Sequence, residues 1–441
     1  MLLGNAGRSV FLPALALALV ACSSVPDGGG TVSFRTEWSD ATASNEYLDG
    51  FAAAPSGDLV VSGWSYDADG MTPSHVRKRA DDIERWKLAT AGYNPAQIAV
   101  GGDDAVYVLT QIFNPETVLK PVYGTKVSPK AFPANVLLKL GSSGEVLWSK
   151  VYDEGRAAYP TAFTADEHGV YLGGTYATSF TLDDAALTPS GSGGVAAFLA
   201  HVDPEGNVVS ARSYGSNLNL ASISALVPNP DGTTVVAGFF AGTLNFGGTP
   251  MAAAGSAIFF AKLDAAGDAV WTHHYVGNGR VMLARWADDY ALVIGGGPTD
   301  LGRGEWYSGH ALARLGADGG IRWVKTLDYA NYGVDDSREV TTTPSGHALL
   351  STLVPDGAAG PNDYGPPGYS RALLAIDGSG SIAGTLDLGR VEPGQYPRTT
   401  RIAAARRGDV YVSTSAEQYG GNVPFYNTTL RRLTLDVSYA E

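Results

Sequence analysis

From residue 31 to its end the chain is written in short runs of alternating apolar and polar positions, broken by turns rich in Asp and Gly. Successive side chains of a strand point to opposite faces, so each run predicts a β-strand. Two hairpin patterns take turns. The first joins a strand of small apolar residues to a β-branched strand, as in residues 51–63 (Phe-Ala-Ala-Ala-Pro-Ser-Gly-Asp-Leu-Val-Val-Ser-Gly). It recurs at 98–109, 162–174, 225–238, 285–296, 339–352 and 401–414, which gives seven copies. The second is clearest at 258–275, with close copies at 136–152 and 310–327, weaker ones at 198–214 and 373–388, and a degraded one near 75–88. The tryptophan of this second pattern falls at Trp86, Trp148, Trp271 and Trp323, with Ser210 and Gly384 in its place elsewhere. A repeat of about sixty residues marks a stacked or radial architecture.

The two ends set the count. Residues 430–435 supply the first strand of the second hairpin, and no partner strand follows them. Residues 32–38 (Val-Ser-Phe-Arg-Thr-Glu-Trp) read like the missing strand, aligned with 146–152 so that Phe34 stands for Trp148. An open solenoid would leave an edge strand to be capped. A ring needs no cap. The expectation is therefore an all-β, seven-bladed β-propeller of four-stranded antiparallel blades, closed by the N-terminal strand completing the last blade. Its blades fall at 51–88, 98–152, 162–214, 225–275, 285–327, 339–388, and 401–435 with 32–38. Phe34, Trp148, Trp271 and Trp323 are expected to wedge between blades, as structural residues.

These units resemble the bacterial β-propeller repeat family, most closely in residues 238–275, where Leu244-Asn-Phe-Gly-Gly-Thr-Pro precedes Phe259-Phe-Ala-Lys-Leu-Asp. The resemblance implies an exported envelope propeller and carries over no catalytic residue. The tryptophan pattern is also similar to that of quinoprotein dehydrogenases and of the outer-membrane assembly lipoprotein. The former use an adjacent-cysteine disulfide that one cysteine cannot make, and the latter usually has eight blades.

Residues 1–21 read as an address. One cation, Arg8, precedes an apolar run over 10–20 that is too short to span a bilayer. The run ends in Leu19-Val20-Ala21-Cys22, which resembles the bacterial lipobox. That resemblance implies cleavage before Cys22, lipidation of its thiol, and residues 22–30 as a flexible tether to a propeller at 31–441. Two or more acyl chains anchor stably where one does not. Ser23 after the cysteine tilts the expected location toward the outer membrane.

Composition narrows the classes. With 56 glycines in 441 residues, a long helical bundle is disfavoured. The single cysteine excludes an internal disulfide scaffold, and a net charge of −14 argues against nucleic acid as a partner. Phosphate-loop, zinc-helix and nucleophile-elbow spacings are absent. The seven histidines are scattered, and the neighbours His273 and His274 point to opposite faces of a strand. No metal and no cofactor are expected.

Long connections at 113–134, 180–195, 243–256, 355–370 and 416–427 emerge on one face, where function should sit. Aromatics near them, Trp306, Tyr307, Tyr364, Tyr369, Tyr419, Phe425 and Tyr426, are candidates for binding a protein or glycan. The leading expectation is thus a lipid-anchored, noncatalytic binding or scaffold protein, not an enzyme. The alternative is a hydrolase or lyase built on carboxylates or a divalent cation at the channel mouth, with Asp153, Glu154, Asp335 and Asp336 as its raw material.

Overall fold

The computed structural model describes residues 30–42, 46–67, 70–71, 74–81, 83–89, 96–113, 127, 129–154, 158–189, 195–215, 220–302, 306–327, 339–355, 369–391, 395–419 and 424–438. Every regular element among them is a strand. Blade 1 contains β2 (Glu46–Ala53), β3 (Leu59–Asp67), β5 (His75–Ala80) and β6 (Ile83–Ala89), with the short β4 (Gly70–Met71) on β3. Blade 2 contains β7 (Ala96–Val100), β8 (Val106–Ile112), β9 (Ala134–Leu140) and β10 (Val146–Glu154). Blade 3 contains β11 (Ala158–Asp166), β12 (Gly169–Tyr176), β15 (Ala196–Val202) and β16 (Val208–Tyr214), with a hairpin of β13 (Phe180–Leu182) and β14 (Ala185–Leu187) between its second and third strands.

Blade 4 contains β17 (Leu220–Pro228), β18 (Thr234–Leu244), β19 (Met251–Leu263) and β20 (Ala269–Val276). Blade 5 follows with β21 (Arg280–Trp286), β22 (Asp289–Asp300), β23 (Trp306–Leu315) and β24 (Ile321–Leu327). Blade 6 has β25 (Val340–Thr342), β26 (Ala348–Pro355), β27 (Tyr369–Ile376) and β28 (Ile382–Val391). Blade 7 takes β29 (Gln395–Ala404), β30 (Val410–Tyr419) and β31 (Pro424–Ser438) from the C-terminus and β1 (Thr31–Thr42) from the N-terminus. The first strands of successive blades touch one another around the ring, and β29 touches β2. The molecule is a closed seven-bladed propeller.

The core is divided among the seams. Each of the seven blade-to-blade contacts has its own cluster of buried apolar residues, such as Tyr107, Leu137, Val170 and Phe198 between blades 2 and 3. A sheet with both faces covered buries consecutive apolar residues, which is why β9 (Ala-Asn-Val-Leu-Leu-Lys-Leu) is buried at every position.

One device recurs at the seams. The tryptophan in the fourth strand stands opposite the cation in the third, in the pairs Trp86 with Lys78, Trp148 with Lys139, Trp271 with Lys262 and Trp323 with Arg314. Each indole N–H donates to the second residue of the next blade's tight turn, at 2.9–3.0 Å from the carbonyls of Ser142, Pro204, Ala317 and Gly378. The fourth residue of those turns is a glycine with positive φ, +94° at Gly206 and +83° at Gly319. A Cβ there would stand 3.2 Å from the Trp148 ring or 2.8 Å from the Trp271 ring. Both the backbone angle and the indole demand glycine. The third-strand cations reach back to the turn between the first two strands, as in Lys139–Asp103 at 3.2 Å and Arg314–Asp289 at 2.8 Å.

Blade 7 departs from the expected alignment. Phe34 faces Leu435, whereas Trp38 faces Arg432 after a bulge that matches the one before Trp148. Trp38 therefore occupies the wedge register, and the Arg79 guanidinium of blade 1 lies 5.0 Å from its ring centroid. Phe34 packs half-buried on the cluster between blades 6 and 7. The cause is length: β1 and β31 run on past the level of the other blades' tight turns, with Thr31 paired to Ser438. That extension also accounts for Gly384, because a Cβ there would strike the Val32 carbonyl.

Candidate functional site

Strand alternation places the starts of first and third strands, and the ends of second strands, on the long-loop face. Polar side chains are buried there where blades 6, 7 and 1 meet. Glu46 opens β2 and is only 2% exposed. Its Oε2 accepts a hydrogen bond of 2.8 Å from Arg77 Nη2, and its Oε1 lies 2.7 Å from Nε2 of His75, an ion-pair separation without hydrogen-bond alignment. Burial pushes the Glu46 pKa up, but the contact with His75 and the charges of Arg77 and His75 outweigh it, so the net shift is downward. The acid stays ionised beside an imidazole.

Hydrogen bonds carry the cluster into blades 7 and 6. The Thr428 hydroxyl donates to the Glu46 carbonyl and lies 2.8 Å from the Ser415 hydroxyl. The carbonyl of Ser415 accepts from Nη2 of Arg371, which is 6% exposed. Arg371 has no carboxylate within ion-pair distance among the described residues, and its Nε has no hydrogen-bond partner. Burial, reinforced by the like charge of Arg431, pushes its pKa down to about 10. A buried guanidinium without a counter-charge is costly. An anion placed beside it would offset that cost.

Three aromatic rings, Tyr47, Trp64 and Tyr426, pack together beside the strand ends that carry Glu46 and Thr428. Tyr426 contacts Tyr47 edge-on at 5.4 Å and Trp64 at 5.5 Å, and its hydroxyl lies 3.5 Å from Glu417, itself 2% exposed. Carboxylate, imidazole and phenol are the side chains that move protons in catalysis, and a guanidinium neutralises charge.

A second feature of the same face lies where blades 2 and 3 meet. A cleft of about 360 Å³ runs between Gln97, Gln111, Phe113, Asn135 and Tyr159. Phe113 is 46% and Tyr159 45% exposed, unusual for large apolar rings in this protein. Amides flank the rings: Gln97 Nε2 donates to the Pro160 carbonyl at 3.0 Å and Asn135 Nδ2 to the Ala158 carbonyl at 3.1 Å. Exposed rings beside amides suit the apolar face and the hydroxyls of a sugar.

Most of the aromatics singled out in the sequence belong to strand ends rather than loops, because the strands run further than the repeat suggests. Trp306 and Tyr307 open β23, Tyr369 opens β27, Tyr419 closes β30, and Phe425 and Tyr426 sit at the start of β31. Tyr307 packs on the cluster between blades 4 and 5, and Tyr426 belongs to the site. The side chains of Trp306, Tyr369, Tyr419 and Phe425 lie outside the described residues, as do Tyr364 and Cys22. Asp153 and Glu154 close β10 with side chains outside the description, and Asp335 and Asp336 fall outside it altogether. Among the described residues no three His, Cys, Asp or Glu side chains gather as metal ligands would.

Glu46, His75, Arg77, Arg371, Phe113 and Tyr159 escaped the sequence reading. Arg371 left one trace, a cation in the run Ser-Arg-Ala-Leu-Leu-Ala-Ile, where a strand covered on both faces should be apolar.

No family model matches the chain, and no curated protein does. Solved structures do. Polysaccharide lyase Uly1 is similar over 86% of this chain and 88% of its own, at 11% identity and a TM-score of 0.46. A subtype N11 neuraminidase-like protein of a flat-faced bat isolate is similar over 78% and 88%, at 9% identity and 0.39. The leech intramolecular trans-sialidase is similar over 89% and 68%, at 9% identity and 0.38. Likeness at this level is one of propeller fold. The expectation that this chain is not an enzyme does not stand, since it rested only on missing motif spacings. In a ring, strand ends of different blades meet, as those carrying Glu46, Arg371 and Tyr426 do, so a site built there leaves no linear spacing to record it.

Proposed function

We propose that this protein is a propeller enzyme of the cell envelope that cleaves a carboxylate-bearing glycan, by elimination or hydrolysis, at the seam of blades 6, 7 and 1. The observation that carries the reading is Arg371, a buried cation with no carboxylate partner among the described residues, hydrogen-bonded through Ser415 and Thr428 to the Glu46–His75–Arg77 group. In elimination, a guanidinium neutralises the sugar carboxylate. A base such as His75 then takes the proton from the carbon beside it, the C–O bond to the leaving sugar breaks, and the departing oxygen takes a proton from an acid such as Tyr426. The product is unsaturated. The second reading, hydrolysis, rests on the two buried carboxylates Glu46 and Glu417, one as acid and one as base. In either case the cleft of Phe113 and Tyr159 holds a further stretch of the glycan.

The proposal extends to the chain's setting: a member of the bacterial β-propeller repeat lipoproteins, cleaved after residue 21, lipidated at Cys22 and held at the outer membrane. Uronate-containing polysaccharides, sialylated glycans and neutral glycans are incubated with the protein, and both reducing ends and unsaturated products are measured. Cleavage of an acidic glycan, lost in His75→Ala and Arg371→Met, is the expected result. Cleavage of neutral glycans alone, or of none, refutes it. For the anchor, Cys22→Ser should move the protein from the membrane fraction to the soluble one, and continued membrane retention refutes lipidation there.

A further inference from the structure

The opposite, tight-turn face carries a different feature at the seam of blades 3 and 4. The ladder between β15 and β16 sets Ser210 opposite His201, the register that holds a tryptophan opposite a cation in five other blades. A cavity of about 450 Å³ opens at Ser210, within the range of small-molecule sites. The other seam without a tryptophan has no such room, because at Gly384 the backbone of β1 lies directly against β28.

The walls of the cavity repeat the surroundings of a wedge indole. The Tyr171 and His201 rings stack face to face, 4.3 Å apart and 3° from parallel, where Tyr107 and Lys139 flank Trp148. Arg212 lies along Gly267, as Lys150 lies along Gly206 and Lys325 along Gly380. The turn is also of the same kind, with Gly267 at φ +84° and its N–H donating to the Asp264 carbonyl at 2.9 Å. Arg212 Nε donates to the carbonyl of Ala266 at 2.6 Å, one residue beyond the position that receives the indole N–H elsewhere. The equivalent acceptor here is the carbonyl of Ala265, an exposed residue lining the cavity.

We infer that this cavity is a binding site for an indole, supplied by a free small molecule or by a tryptophan side chain of a peptide. The ring slides between Tyr171 and Gly267, and its N–H donates to the Ala265 carbonyl. Four indoles already sit this way in the same fold, on the same turn type and at the same strand register. The shape and the donor direction are thus built into the repeat. The site lies on the face opposite the glycan cluster, so it stands or falls independently of the proposed activity.

Isothermal titration of the protein with indole, 1-methylindole and N-acetyltryptophanamide tests it. Indole or N-acetyltryptophanamide should bind, and the one that binds more tightly identifies the source. Methylation of the ring nitrogen should weaken binding at least fivefold. Ser210→Trp supplies the ring from within and should abolish binding while raising the thermal midpoint, whereas Ser210→Ala should keep binding. Absence of binding by wild type, equal binding of 1-methylindole, or undiminished binding by Ser210→Trp would each overturn the inference. If Ser210→Trp fails to fold, the comparison of indole with 1-methylindole on the wild-type protein still decides the matter.

Discussion

His75 Nε2 stands 2.7 Å from Glu46 Oε1, and both side chains are almost wholly removed from solvent. Because the fold holds the Glu46 pKa below its ordinary value of 4.5, the folded state keeps this proton off more readily than the unfolded chain does. The associated stability is complete above the unfolded value and is lost as pH falls through the folded one. Glu46→Gln should therefore cost about 3–5 kcal/mol at neutral pH, where it leaves Arg77 and His75 without their carboxylate. The difference from wild type should shrink as the pH is lowered below about 4. Urea unfolding as a function of pH measures both, and a constant difference across the acid range contradicts the assignment.

Arg371 carries the opposite sign. Its pKa is pushed down to about 10, so its charged form is disfavoured in the fold throughout the acid and neutral range, and the penalty is relieved only above about 10. One pKa unit corresponds to about 1.4 kcal/mol, so removing the charge with an unbranched apolar chain should stabilise the protein by about 1–3 kcal/mol. Arg371→Met is thus expected to unfold at higher urea while losing activity on acidic glycans. A stability loss in this variant would show that the guanidinium serves packing instead of an anion.

What was legible in the sequence follows from what repeats. The turn glycine, the third-strand cation and the indole occur in several blades, so Trp148, Trp271 and Trp323 could be aligned and the closed ring counted from the odd strand at each end. Phe34 misled because an aromatic residue fell near the right place while the true register lay four residues on, at Trp38; only the extended pairing of β1 with β31 shows this. Glu46, His75 and Arg371 repeat nowhere. Each lies at the end of a strand of a different blade or element, and their meeting is a product of ring geometry that no local window contains.

The turn glycines separate two costs. At Gly232 a methyl group would meet nothing within 4 Å, yet φ is +78°, so Gly232→Ala should cost only the backbone strain of about 1 kcal/mol. At Gly319, with φ +83°, the added methyl also stands 2.4 Å from the His273 ring and 2.8 Å from the Trp271 ring, and Gly319→Ala should cost roughly 2–4 kcal/mol. Equal losses in chemical denaturation would mean that the imidazole and the indole move aside freely.

Phe113 and Tyr159 form few contacts that folding depends on, since nearly half of each is exposed. Alanine at either position should leave the unfolding midpoint within about 0.5 kcal/mol of wild type. The same changes should raise KM for long glycans several-fold while sparing the shortest substrates that reach the Arg371 cluster. Unchanged KM for long substrates would remove the cleft from the binding path.

Ring closure supplies the sharpest comparison. Trp38 holds the wedge register of blade 7, opposite Arg432, which is ion-paired to Asp81 of blade 1 and to Asp409 of its own blade. Its ring also carries the Arg79 guanidinium of blade 1, so this one side chain ties the last blade to the first. Phe34 touches only the seam between blades 6 and 7 and lies in the extension beyond the level of the tight turns. A wholly buried tryptophan costs about 3–5 kcal/mol when truncated, and the partly buried Trp38 should cost roughly 2–3. Phe34→Ala should cost about 1 kcal/mol, because its ring fills no comparable gap. Hydrogen exchange gives the mechanism its own readout: in Trp38→Ala the amides of β1 and β31 should lose protection ahead of those in blades 3 and 4, as the closing hairpin opens first. If Phe34→Ala is the more damaging change, or if β1 exchanges no faster than the rest, closure is held at the end of the extension and not at the wedge.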